Sequence, residues 1–234
     1  MAMNVKNIKT TSKFPRPPAL DIGAYPSRVV QIIGLGLQKQ QAWQGNEKPP
    51  AEMVYVTYEL LDEFMKDEDG NEIEDKPRWL SEDFALHSLE SDLATSTKRY
   101  MALDPDMEHG GDFLALGGTP CMVNVVQNPS KKVGDDTIYN NISGVSGMRA
   151  KDADKAGPLV NETKLFDFYE PDLDVFSSLP SWLQDKIKDG LNYEGSELEK
   201  GLANYKPKDG EAKGKEKKSD EPKGEAKEDG EVDW

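Results

Sequence analysis

One stretch decides the fold of this chain: Met53-Val54-Tyr55-Val56-Thr57-Tyr58-Glu59-Leu60-Leu61. Successive side chains of a β-strand point to opposite faces of its sheet, so residues two apart share a face. One face receives Val54, Val56, Tyr58 and Leu60. The other face receives Tyr55, Thr57 and Glu59. This alternation predicts a β-strand with one face on a hydrophobic core.

Four other segments have the composition of strands. They are Ser27–Leu37, Arg78–Leu86, Pro120–Gln127 and Tyr139–Val145. In the first of them Gly34 and Gly36 follow a β-branched run, and glycine inside a strand indicates a bulge or a sharp bend. Between the second and third strands, Asp69-Gly70 predicts the tip of a hairpin.

A single helix is predicted between the third and fourth strands, over residues 91–103. Leu93, Thr97 and Tyr100 fall near helical spacing, and acidic residues come early while basic residues come late, as the helix dipole favours. The order of elements is then strand, strand, strand, helix, strand, strand. This order predicts a mainly β fold, a five-stranded OB-fold-like Greek-key barrel with one helix between strands 3 and 4.

Four regions are predicted along the chain. Residues 1–24 form an extended basic arm, residues 25–150 the barrel, residues 151–200 an extended linker with a short helix, and residues 201–234 a disordered tail with an acidic tip. The short helix spans Leu179–Lys188 and places Trp182, Leu183 and Ile187 on one apolar face. We expect this helix to dock on the barrel or on another subunit, so a homo-oligomer is left open.

Composition excludes several classes of function. The net charge is −15 and the pI is about 4.6, which argues against affinity for nucleic acid or anionic membranes through bulk charge. A local basic face is still allowed, because salt screens charges beyond roughly 10 Å. Cys121 is the only cysteine and His87 and His109 are the only histidines, so neither a thiolate cluster nor a catalytic dyad is indicated. We predict a non-enzymatic protein without cofactor or membrane span, located in the cytoplasm.

Aromatic and basic side chains in such a barrel indicate single-stranded nucleic acid, which binds by base stacking in a groove lined by cations. For each aromatic residue a place in the core is an equally open interpretation. The candidate stacking residues are Trp43, Tyr55, Trp79 and Tyr139. The candidate phosphate contacts are Arg28, Lys39, Lys48, Arg78, Lys131, Lys132 and Arg149.

The tail ends Glu228-Asp229-Gly230-Glu231-Val232-Asp233-Trp234, an acidic segment tipped by an aromatic residue. Together with the barrel order, this tail resembles the single-stranded-DNA-binding proteins of bacteria and tailed phages, whose acidic tails commonly end in Phe. The stretches Tyr25–Gly36, Tyr58-Glu59-Leu60 and Leu179–Trp182 also resemble phage proteins of replication and recombination modules.

The resemblance implies a function for the barrel and for the tail. The barrel would bind single-stranded DNA, and the tail would dock a polymerase, helicase or primase and compete with DNA. The implied docking residues are Glu228, Asp229, Glu231, Asp233 and Trp234.

A rival hypothesis comes from the strongly acidic body of the chain. From Lys206 onward the tail has 8 lysines and 10 carboxylates, so most of the negative charge lies elsewhere. A phage structural or assembly protein would bind protein partners through its barrel and the Trp182 helix, and would need no basic groove.

Overall fold

Five long strands and one short strand form one sheet in the computed structural model, which describes residues 17–206 except 43, 44, 68, 133 and 135. The long strands are β1 (Gly23–Gln38), β2 (Ala51–Lys66), β3 (Glu72–Ala85), β4 (Pro120–Pro129) and β5 (Ile138–Gly147). Each of the five strands predicted from sequence is present, and β2 extends well beyond residues 53–61 at its C-terminal end. The prediction of a mainly β fold is confirmed.

The long strands are antiparallel and lie in the order β3-β2-β1-β4-β5. β1 pairs with β4 over residues 23–28 and with β2 over residues 27–38. One hydrophobic core, which we call the first core, lies on the inner face of the sheet and contains residues of β1, β2 and β4. All of the β2 residues that alternation assigned to the inner face are buried in it. These β2 residues are Val54, Val56, Tyr58 and Leu60.

β1 bends where its glycines predicted a bend. Its pairing with β2 shifts register between Val29 and Gln31 and again between Gly34 and Gly36. Gly36 has φ +71°, a left-handed conformation that favours glycine. A Cβ at this position would lie 2.8 Å from Asn192 Oδ1, so the C-terminal segment packs directly on the bend.

Helix α1 (Thr95–Leu103) lies between β3 and β4 in the chain, as predicted, although residues 91–94 form turns before it. The helix packs against β3, β4 and β5. The sheet is open rather than closed: no hydrogen-bonded ladder joins β3 to β5 in the part of the chain that the structure describes, although the two edge strands approach with Cα atoms within 8 Å.

The segment after β5 is more ordered than the predicted extended linker. It contains α2 (Ala150–Ala153), β6 (Lys164–Phe166), α3 (Leu173–Ser178), α4 (Ser181–Lys188) and α5 (Glu197–Asn204). α4 is the predicted short helix. α5 runs into residues 201–204, which the sequence assigned to the start of the tail.

β6 pairs in parallel with Gln31–Ile33 of β1, on the side of β1 that β4 leaves unpaired. This pairing satisfies backbone groups that an edge strand would otherwise expose. The helices that follow build a second core on the outer face of β1 and β2. Its fully buried members are Ile33, Leu35, Phe166, Phe168, Phe176, Leu179, Leu183, Ile187 and Leu198. Across the described residues, every helix is too short or too polar to traverse a lipid bilayer.

Candidate nucleic-acid interface

The outer face of β2 and β3 is partly covered by the C-terminal segment. Tyr55 lies beneath α4, where its ring meets the Trp182 ring edge-on at a centroid distance of 5.4 Å. Asp83, on the neighbouring strand, forms an ion pair of 2.5 Å with Lys186 of the same helix. The predicted stacking residue Tyr55 is therefore half-buried against a helix in this structure.

Glu59 lies on the same face of β2 as Tyr55 and pairs with Trp79 of β3. Its side chain is fully buried and accepts three hydrogen bonds. Trp79 Nε1 donates to Oε2 at 3.1 Å, the Val160 amide donates to Oε1 at 2.6 Å, and Asn161 Nδ2 donates to Oε2 at 2.7 Å. One carboxylate thus joins β2, β3 and the chain segment that crosses the sheet after β5.

Trp79 and Val160 form an exposed apolar surface around this buried carboxylate. Trp79 is 38% exposed, although its indole N–H is bound, and Val160 is 50% exposed. A tryptophan fixed at its polar edge and open on its ring can contact a partner at little cost in conformational entropy. Of the predicted stacking residues that the structure describes, which are Tyr55, Trp79 and Tyr139, Trp79 is the one in this state.

The segment that crosses the sheet after β5 comprises residues 156–161, and we call it the strap. Glu59 binds its C-terminal end and Arg28 binds its N-terminal end. The guanidinium group donates to the carbonyls of Gly118 at 3.0 Å, Gly157 at 2.9 Å and Ala156 at 3.5 Å. Arg28 was predicted to contact phosphate, whereas in the structure its donors are directed at backbone carbonyls.

The segment that leads into the strap includes α2 and carries three cations and two carboxylates. Lys151 and Lys155 are exposed, and Lys155 directly precedes Ala156. Arg149 is exposed as well and forms an ion pair with Asp152 at 2.5 Å. The predicted phosphate contact Arg149 is therefore the first of three cations that precede the strap in the chain.

The other predicted cations do not gather at this surface. Lys131 and Lys132 are exposed in the turn between β4 and β5, while Lys39 and Lys48 are exposed in the loop between β1 and β2. Because Gly23 pairs with Val125, the first pair lies at the start of β1 and the second pair follows its end. The strand register thus separates these two groups by the length of β1.

Arg78 lies in a different environment. It is half-buried in a groove of about 380 Å³ that is also lined by Tyr25, Glu63 and Asp67. Burial lowers the pKa of the Arg78 guanidinium, and the negative charge of Glu63 opposes this effect. Two carboxylates beside the guanidinium make this groove a poor site for phosphate.

The remaining predicted residues include one on a strand and several beyond the described residues. Tyr139 is half-buried on β5, where it pairs with Asn128. Trp43 and the proposed docking residues lie outside the described part of the chain. The docking residues are Glu228, Asp229, Glu231, Asp233 and Trp234.

Cys121, the single cysteine of the sequence, is buried in β4. Burial raises the pKa of the Cys121 thiol to about 12, so thiolate is scarce near neutral pH. Within the described residues no three His, Cys, Asp or Glu side chains are grouped to hold a metal ion.

Comparison with protein-family models, curated proteins and solved structures gave no match for this chain. The geometry alone therefore supports the candidate interface. Sequence reasoning identified Trp79 but missed Glu59 and the strap. The available signal was a carboxylate in the middle of an otherwise apolar strand, which must find hydrogen-bond donors when buried.

Proposed function

We propose that this protein binds single-stranded DNA without sequence specificity. The observation that carries the proposal is Trp79, an exposed ring held in place by a buried carboxylate. Every base has a π-face, so an aromatic platform binds single strands of any sequence, and each stacked base contributes about 1–3 kcal/mol.

The strand order gives further support. In an OB-fold, β1 pairs with both β2 and β4, and the helix precedes β4. The same neighbours and the same helix position occur here, and the edge strands that would close a barrel lie near each other. We therefore propose that the sheet is an opened variant of the OB-fold barrel.

The biological setting that we propose is phage DNA replication and recombination. It derives from the resemblance of the acidic, tryptophan-tipped tail to the tails of single-stranded-DNA-binding proteins. In this setting the tail docks replication proteins such as a polymerase, helicase or primase, and competes with DNA for the barrel.

The rival hypothesis of an assembly protein has less support from the geometry. It relied on the Trp182 helix as a docking surface. Leu183 and Ile187 of that helix are buried in the second core, and Trp182 contacts Tyr55. The apolar face of α4 is thus occupied within the chain.

The proposal is tested by titrating fluorescently labelled oligo-dT, oligo-dA and a duplex of equal length with the full chain at two salt concentrations. We expect both single strands to bind more tightly than the duplex, with affinity falling as salt rises. Equal affinity for duplex and single strands, or no binding at low salt, would contradict the proposed function.

A further inference from the structure

We infer that Glu59 is the positioning residue of the DNA-contact surface, and that Val160 of the strap forms the second wall of this surface beside Trp79. This inference rests on the proposed single-strand binding and adds to it the residue that sets the orientation of the ring. Glu59 itself is buried and does not touch DNA.

The geometry requires a carboxylate at this position. Both Glu59 oxygens accept, and all three donors are N–H groups that come from outside β2. A glutamine side chain has one acceptor oxygen and an NH₂ group. With its oxygen in the place of Oε2 it would keep the bonds from Trp79 and Asn161 and lose only the bond from Val160, whereas a leucine, which has no polar atom, would lose all three.

The neutral partners of Glu59 favour a role in orienting the Trp79 ring over a role in stability alone. None of the ion pairs among the described residues includes Glu59, and the three groups that bind its carboxylate are neutral N–H donors. Burying a carboxylate is costly, and an aliphatic side chain would close the same contact by packing. An aliphatic side chain would, however, leave the Trp79 indole N–H unbound and its ring free to change rotamer.

The same carboxylate also ties the strap to the ring. Its bond to the Val160 amide holds the strap over β2, while Arg28 holds Ala156 and Gly157. Both ends of the strap are therefore fixed by side chains of the sheet.

The test is a double-mutant cycle with Glu59→Leu and Trp79→Ala, measured by oligo-dT affinity at fixed salt. We expect Trp79→Ala to weaken binding about tenfold, the loss of one stacked base. We expect Glu59→Leu to weaken binding about fivefold in the native background and less than about twofold in the Trp79→Ala background, because its effect passes through the ring.

The control is Asp83→Leu, the loss of a neighbouring outer-face carboxylate that binds Lys186 instead of Trp79. Its affinity for oligo-dT should stay within about twofold of the native value. Thermal melts establish that each variant is folded. If Glu59→Leu does not fold, Trp79→Phe removes the Glu59–Trp79 hydrogen bond from the other partner and should weaken binding about threefold.

Three outcomes overturn the inference while leaving the proposed function intact: native binding by Trp79→Ala, native binding by Trp79→Phe, or an equal loss from Glu59→Leu in both backgrounds. Failure of the native chain to bind oligo-dT at any salt concentration overturns the proposed function itself, and the inference with it.

Discussion

The side chain of Glu82 forms a buried ion pair with Arg99 and binds Tyr58 of the first core. Arg99 donates to its two oxygens at 2.7 and 3.0 Å, and the Tyr58 hydroxyl donates at 3.1 Å. Burial, assisted by the charge of Glu82, raises the pKa of Tyr58 well above its ordinary value, so this hydroxyl remains a donor. The Glu82 carboxylate on β3 therefore links α1, through Arg99, to β2, through Tyr58, by charge-assisted hydrogen bonds.

Arg99→Met should therefore destabilise the protein strongly. Removing one partner of a buried pair leaves the other charge uncompensated, which costs about 3–5 kcal/mol. Lys200→Met is the control, because its pair with Glu197 is exposed and should contribute less than about 1 kcal/mol. Urea unfolding followed by circular dichroism measures both variants. Similar midpoints for the two variants would show that the buried pair contributes little.

At the level of elements, the sequence predicted what depends on local pattern. Alternation in residues 53–61 identified β2 and its buried face, and Gly34 and Gly36 identified the bend in β1. The C-terminal helices and the second core were not predicted. Phe166 ends β6, Phe168 lies in the loop after it and Phe176 lies in α3, so no single period joins them; they are buried because the outer face of β1 is available to them.

In the candidate site, too, the sequence predicted only what depends on local pattern. Trp79 is a large aromatic residue on a strand, which composition alone identifies as a candidate. The strap has no strand or helix pattern, and its position depends on donors and acceptors that lie about 100 residues apart in the chain. Long-range pairing of this kind leaves no local signal, so Glu59 and Val160 could be found only in three dimensions.

The second core makes the C-terminal segment a fixed part of the fold rather than a displaceable lid. Ile187 of α4 is fully buried there, and Ile187→Ala should cost about 2–5 kcal/mol. Leu191→Ala, a few residues beyond and 46% exposed, should cost much less. We expect one cooperative unfolding transition for Ile187→Ala when circular dichroism and tryptophan fluorescence are compared. A separate early transition of the helices would show instead that the cover opens independently of the sheet.

For the whole molecule, the distribution of charge decides how an acidic protein can bind a polyanion. The net charge is −15, and the exposed cations that precede the strap, Arg149, Lys151 and Lys155, are few. α5 ends at Asn204 on the segment that covers the outer face, so the chain enters its predicted disordered tail from the side of the sheet that carries Trp79. A disordered tail of about 30 residues spans roughly 30 Å, enough to reach across a small domain.

Deletion of residues 228–234 should consequently tighten oligo-dT binding severalfold at low salt. The deletion removes four carboxylates and Trp234, which would otherwise occupy the cations and the stacking surface. The gain should shrink as ionic strength approaches about 0.2 M, because screening weakens both the tail and the phosphate contacts.

A variant with Glu228, Asp229, Glu231 and Asp233 changed to their amides but with Trp234 retained separates charge from stacking. It should recover most of the low-salt gain if charge dominates. Equal affinities for the native, deleted and amide forms at every salt concentration would exclude competition by the tail and leave docking of a partner as its only proposed function.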